Sequence, residues 1–196
     1  KMQFVSAITQ KENALEALNE LTIEVRKSLS ELPHLVFLFV SPDYETAWEE
    51  AIRQFRHGLG NPILIGCSSS GVIGNDLELE FRPAMSLVAA HLPEVLLHPF
   101  TVSPIELELS GNVGKRWTTR IGVSHEDHPS FILIPEPYTC DAMKLVYDLN
   151  ENFSERPVIG GLASGATEAG GNFLFLNDEV IREGAVGLAL TGNISL

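Results

Sequence analysis

The chain has 196 residues, 44% of them hydrophobic, enough for one large domain or two small ones around a sizeable core. Its 13 Lys and Arg against 26 Asp and Glu leave a net charge of −13 with no basic stretch, which argues against a nucleic-acid phosphate track or an anionic membrane surface as main partner. No apolar run approaches the ~20 residues of a membrane span, no signal-peptide pattern opens the chain, and Cys67 and Cys140 are too few for a disulfide scaffold, so it reads as a cytoplasmic protein with reduced thiols.

In chain order, Ala14, Leu18, Leu21, Val25 and Leu29 recur every three or four residues and predict an amphipathic helix that Pro33 ends. Residues 34–40 form a continuous apolar run, suited to a strand covered on both faces. Ser41 reads as an N-cap with Pro42 at the first helical position, and Trp48, Ala51, Ile52 and Phe55 as the buried stripe of a helix closed by Gly58 and Gly60. A short strand at 63–65 runs into the loop Gly66-Cys67-Ser68-Ser69-Ser70-Gly71, after which strands at 77–81, 85–91 and 95–100 read as a β-meander. Residues 110–129 contain Trp117 and Ile121 but also Gly111, Gly114 and Gly122, and read as a degenerate helix or a loop. Then come a strand at 131–134, a helix over 140–152 with Met143, Val146, Leu149 and Phe153 inward, a strand at 157–159, a loop at 160–171, and strands at 172–176 and 184–191.

The second series answers the first at an offset of 94 residues, with no gap needed. Phe37-Leu38-Phe39-Val40 matches Phe131-Ile132-Leu133-Ile134, Tyr44 matches Tyr138, and the first glycine loop matches Gly160-Gly161-Leu162-Ala163-Ser164-Gly165, with Ser70 on Ser164. The expectation is one mixed α/β (α+β) domain, residues 1–196, of two α-β-α-β-β units at about 11–100 and 110–196. Helices lie outside either one long mixed sheet or two sheets in an α-β-β-α sandwich, the layered form being favoured by strands apolar on both faces. Duplicated units bury their apolar faces together, so their equivalent loops converge on a shared crevice.

The two loops carry most of the functional information. Terminal glycines permit tight turning and close backbone approach, while serine hydroxyls and successive N–H groups can form a concavity for a carboxylate or phosphate. Gly66, Cys67, Ser68, Ser69, Ser70, Gly71, Gly160, Gly161, Ser164 and Gly165 are therefore the candidate ligand-binding residues, joined by Tyr44 and Tyr138, whose hydroxyls follow the corresponding strands. The bland alternatives are turns whose serines satisfy their own backbone and tyrosines that pack at helix starts. Neither loop fits a P-loop or a dinucleotide fingerprint, and no cofactor is expected. His125-Glu126-Asp127-His128 lacks a third ligand at a recognisable spacing and reads as a solvated turn. Asp43 and Glu136 read as acids favouring a helix dipole. An enzyme reading, a hydrolase or transferase, would need Cys67 or a loop serine beside a base such as His57, His91 or His98, and Cys67 reads more simply as a small buried residue.

The segments Ile65-Gly66-Cys67-Ser68-Ser69-Ser70-Gly71-Val72-Ile73, Pro157-Val158-Ile159-Gly160-Gly161-Leu162-Ala163-Ser164 and Gly184-Ala185-Val186-Gly187-Leu188-Ala189-Leu190 resemble the amino-terminal part of the FIST (F-box and intracellular signal transduction) sensory domain. Val72 stands where that family often has an acidic residue, a departure that weakens any ligand role resting on a carboxylate there. The resemblance covers nearly the whole chain and implies an intracellular signal-transduction module that binds small molecules such as amino acids. It also implies a carboxy-terminal FIST portion or a signalling output domain as partner. With the strong acidity of the chain, a zwitterion is a better expected ligand than a polyphosphate, and a protein-interaction scaffold is the remaining alternative.

Overall fold

The computed structural model of the chain describes residues 1–108 and 114–194. Its first half runs β1 (Gln3–Thr9), α1 (Ala14–Ser28), β2 (Leu35–Val40), α2 (Trp48–Gly58), β3 (Ile63–Ser68), a hairpin of β4 (Gly71–Gly74) and β5 (Leu77–Glu80), and β6 (Met85–His91). The second half runs β7 (Val95–Val102), α3 (Pro104–Glu108), α4 (Gly114–Ile121), β8 (Ser130–Pro135), α5 (Ala142–Asn152), β9 (Val158–Gly160), a hairpin of β10 (Leu174–Leu176) and β11 (Glu179–Ile181), and β12 (Ala185–Gly192).

Two sheets result, ordered β1-β6-β2-β3-β10-β11 and β7-β12-β8-β9, with β4-β5 as a separate ribbon. They stack as the α-β-β-α sandwich. Alternation along β2 sends Val36, Leu38 and Val40 toward Leu18, Leu21, Ile52 and Phe55 of α1 and α2, while Leu35, Phe37 and Phe39 meet Ile132, Ile134, Val186 and Leu188 of the opposite sheet. On the far side Phe131 and Leu133 pack under Trp117, Leu145, Leu149 and Phe153. The inter-sheet layer is why both faces of β2 and β8 are apolar.

Several expectations change. β1 was not foreseen; it adds antiparallel to β6 at the sheet edge, so each half begins with a strand before its helices. The residues at 77–102 are no meander: β6 inserts between β1 and β2, and β7 leaves to pair with β12, placing 95–102 with the second half rather than the first. Ser41 is not an N-cap. Its N–H donates to Ala84 O and its Oγ accepts from Ala84 N, which ties it to β6 and delays α2 until Trp48. Met143 (81% exposed) and Val146 (42%) point out of α5, and Leu145, Asp148, Leu149 and Phe153 point in. Trp117 and Ile121 do sit on a helix, α4, and both are buried; the preceding residues, Gly111 among them, lie outside the described ones.

The match between halves also needs a one-residue gap. Leu38 pairs with Gly66 and Leu133 with Gly160, so the offset is 95 at β2 and β8 but 94 at β3 and β9. Hydrogen bonds agree, since Glu136 N donates to Gly184 O where Ser41 N donates to Ala84 O. Because α2 and α5 start at Trp48 and Ala142, again 94 apart, the gap falls in the connection between strand and helix that carries Tyr44 and Tyr138.

Candidate functional site

The site starts from two glycines at which an added Cβ would clash with the neighbouring strand's backbone. A Cβ at Gly66 would stand 1.8 Å from Leu38 O, and one at Gly160 would stand 1.9 Å from Leu133 O. Each packs the third strand of its half closely against the second, Gly66 two residues before β3 ends at Ser68 and Gly160 at the last residue of β9.

The loops meet. Ser70 N–H donates to Ser164 Oγ at 3.1 Å, the two hydroxyl oxygens lie 3.5 Å apart, and Ser164 N–H donates to Ser68 O at 3.0 Å. Ser164 Oγ spends a lone pair on the Ser70 amide, and either hydroxyl can donate to the other across the 3.5 Å gap or turn its proton to an acceptor placed between them. Gly165 adopts φ +105 and packs beside Pro42, so the second loop folds over the end of β2. Gly71 is simply the first residue of β4.

A cavity of about 310 Å³ opens between the sheets at the roots of both loops, lined by Phe37, Phe39, Cys67, Ser69, Ile132, Ile134, Gly160, Gly161 and Leu162; Ser70 and Ser164 are neighbours in the chain of its walls rather than walls themselves. Ser69 Oγ donates to Gly71 O. Burial pushes the Cys67 thiol up to about 12, and the walls contain no imidazole. The three histidines considered as bases lie elsewhere: His57 on α2, His91 stacked on His34 with ring centroids 4.5 Å apart, and His98 beside Thr191 on the β7–β12 pair. A larger cavity, about 630 Å³, lies at the opposite end of the inter-sheet layer, where Asn193 is the polar side chain among walls such as Met2, Phe4, Leu92 and Ile194. It has volume but little to orient a ligand.

The tyrosines divide. Tyr44 is buried, stacks edge-on against Trp48 and donates its hydroxyl to Lys11 O; burial first, then Asp43 and Glu20, raises its phenol to about 12. It packs away from the loops. Tyr138 is half exposed and donates to Ala166 O, holding the second loop from outside. His125 and Asp127 bond to Ser154 O and to the Ser124 amide and hydroxyl, as a capped turn does.

Sequence reasoning missed the support under both loops. Glu136, fully buried, accepts from Asn172 Nδ2 (3.0 Å), Tyr138 N (3.1 Å) and Thr139 Oγ1 (2.7 Å), so it is not a solvated dipole partner. Asn172 Oδ1 in turn accepts from Ala166 N of the second loop and lies 3.4 Å from Ser68 Oγ of the first. An acid at a strand end beside a proline carries no local mark of such a role.

Comparison with known proteins agrees with the motifs. The model of the FIST N domain matches residues 34–196. An uncharacterized protein of Mycobacterium tuberculosis strain H37Rv is 29% identical over 160 residues, 82% of this chain and 40% of that protein. One of Mycobacterium bovis is 23% identical over 181 residues, 92% of this chain and 45% of its own. The chain thus spans less than half the length of these relatives. A cyanuric acid hydrolase structure aligns over 97% of this chain and 67% of its own, at 11% identity and a TM-score of 0.41. With the family model spanning most of its length, the chain belongs to the FIST N domain family, sensory domains of signal-transduction proteins.

Proposed function

We propose that this domain senses a small carboxylate-bearing metabolite, an amino acid being the best fit, held where the glycine loops meet. The observation that carries the reading is the Ser70–Ser164 contact, which brings two hydroxyls within 3.5 Å of each other on loops whose first residues line an apolar cavity. A carboxylate presents two oxygens about 2.2 Å apart, so each can accept from one hydroxyl while the ligand's apolar part fills the space between Phe39 and Ile134. The negative surface opposes strongly anionic ligands at long range and favours a zwitterion. Occupancy ties the two halves together at their common edge, a change that an output domain or partner can read.

The reading is of binding rather than turnover. A thiol held near 12 is scarcely a thiolate at neutral pH, and a Cys67 nucleophile has no base among the cavity walls to activate it. A thermal-shift screen of the twenty amino acids and common organic acids tests the proposal. A bound compound at one hundred times its Kd stabilises the protein by about 2.7 kcal/mol. The Ser70→Ala, Ser164→Ala double variant should lose most of that shift while its unliganded Tm stays near wild type. No shift with any compound, or an undiminished one in the double variant, would sink the assignment.

A further inference from the structure

The two halves differ at the outer edge of their third strands. In the first, the outer edge of β3 is covered: Ser68 N donates to Phe173 O, Asn177 N donates to Leu64 O, and β10 and β11 extend the sheet. That hairpin belongs to the second half. Its Phe173 and Phe175 rings lie 5.4 Å from Trp48, the first residue of α2, and close the seam between helix and strand, and Ile52 is fully buried.

The equivalent edge of the second half is bare. Phe131 N donates to Pro157 O and Gly161 N to Leu133 O, which turns the N–H and C=O of Val158 and Gly160 away from β8, where no described strand pairs them. Ala142 stands in place of Trp48, and Val146, the counterpart of Ile52, is 42% exposed. Between α5 and β9 a cavity of about 280 Å³ opens where the first half seats two phenylalanines; Ala142, Val146, Val158 and Ile159 are among its walls. Ile159 (51%) and Leu162 (55%) extend the apolar surface beside it.

The first half has a hairpin too, β4–β5, in the same position of its unit as β10–β11. It lies against β1, β2 and β6 of its own half and caps no other edge. Ile73 (73%), Leu77 (44%) and Phe81 (94%) are exposed on it. The exchange between halves is therefore head-to-tail rather than reciprocal, and it leaves one free donor and one free acceptor. An unpaired strand edge beside uncovered apolar side chains is a pairing site.

We infer that the β9 edge, Val158–Gly160, receives the β-hairpin of a further unit of this same fold, carried on the same polypeptide outside these 196 residues. The hairpin adds antiparallel as β10 adds to β3, and large apolar side chains from it fill the cavity beside Val146. The occupant is a third such unit because the covered edge of the first half shows what fits, and because the relatives are long enough to carry one, the aligned residues being 40% and 45% of them.

Hydrogen exchange over β9 tests this in the 196-residue chain and in the complete polypeptide that carries it. Val158 and Gly160 amides should exchange on the order of a hundredfold more slowly in the complete polypeptide. Val146→Glu should leave the Tm of the 196-residue chain nearly unchanged and abolish that added protection. Val158→Pro, which removes an N–H that β8 does not use, should do the same and serves if the glutamate variant folds poorly. Equal exchange in the two proteins overturns the inference. So does protection in the 196-residue chain that rises with concentration and is lost in Ile73→Glu, since the edge would then belong to a second copy.

Discussion

Gly66→Ala and Gly160→Ala make the same clash in two settings, and their difference reads out how firmly each third strand is held. An added methyl would lie 1.8 Å from Leu38 O at residue 66 and 1.9 Å from Leu133 O at residue 160, so strand and carbonyl must part by more than an ångström in either variant. β3 cannot yield, because β2 flanks it on one side and β10 on the other, both hydrogen-bonded to it. Moving it strains several ladder bonds worth about 1 kcal/mol each and disturbs the packed layer, for a total of about 4 kcal/mol. β9 has only three residues and a free outer edge, so it can swing outward for about 1–2 kcal/mol. Urea unfolding followed at Trp48 and Trp117, one in each helix–sheet core, measures both. A Gly66→Ala cost under about 1 kcal/mol, or one smaller than that of Gly160→Ala, would refute the argument. In the complete polypeptide, where we infer that a hairpin covers β9, the cost at Gly160 should rise toward that at Gly66.

Glu136→Gln turns an all-acceptor group into one with an NH₂ facing Asn172 Nδ2, Tyr138 N or Thr139 Oγ1, and should cost about 2 kcal/mol of unfolding free energy; a change under about 0.5 would mean those donors are not what holds Glu136. Burial raises the Cys67 thiol from its ordinary value near 9 to about 12, so below about pH 9 its contribution to stability is complete, and it is lost as pH rises toward 12 because the unfolded chain releases the proton first. Denaturation curves across that window should be flatter for Cys67→Ala, and iodoacetamide at pH 8 should modify Cys67 only in denaturant; ready labelling of the native protein would refute the buried placement.

What the sequence made legible was the content of one unit, because helix stripes, apolar strands and glycine turns are written in residues close together. The convergence of Ser70 and Ser164 could be anticipated on that basis, since equivalent loops leave equivalent strand ends. β1 escaped because Gln3–Thr9 mixes polar and apolar residues at a sheet edge, where only one neighbour and part of one face constrain it. The shift from 95 to 94 escaped because β2 and β8 are apolar throughout, and a run that is hydrophobic on both faces fits itself equally well one residue over. Glu136 and Asn172 escaped for the opposite reason: their partners are distant in the chain, and polar residues in loops read as solvated until a fold buries them.

Val146 shows where local and global information part. Its place on α5 follows the same pattern that buries Ile52 on α2, and by that pattern it belongs inward. It is exposed here because the surface opposite it is a cavity and a bare strand edge, not because the helix has turned: Leu145 and Leu149 are buried as Ala51 and Phe55 are. A residue whose local sequence says core and whose surroundings say solvent marks a face that another element covers. In the first half that element comes from the neighbouring unit, so the arrangement within these 196 residues already specifies the chemistry of the cover: a hairpin with two large apolar side chains and an edge ready to bond Val158 and Gly160.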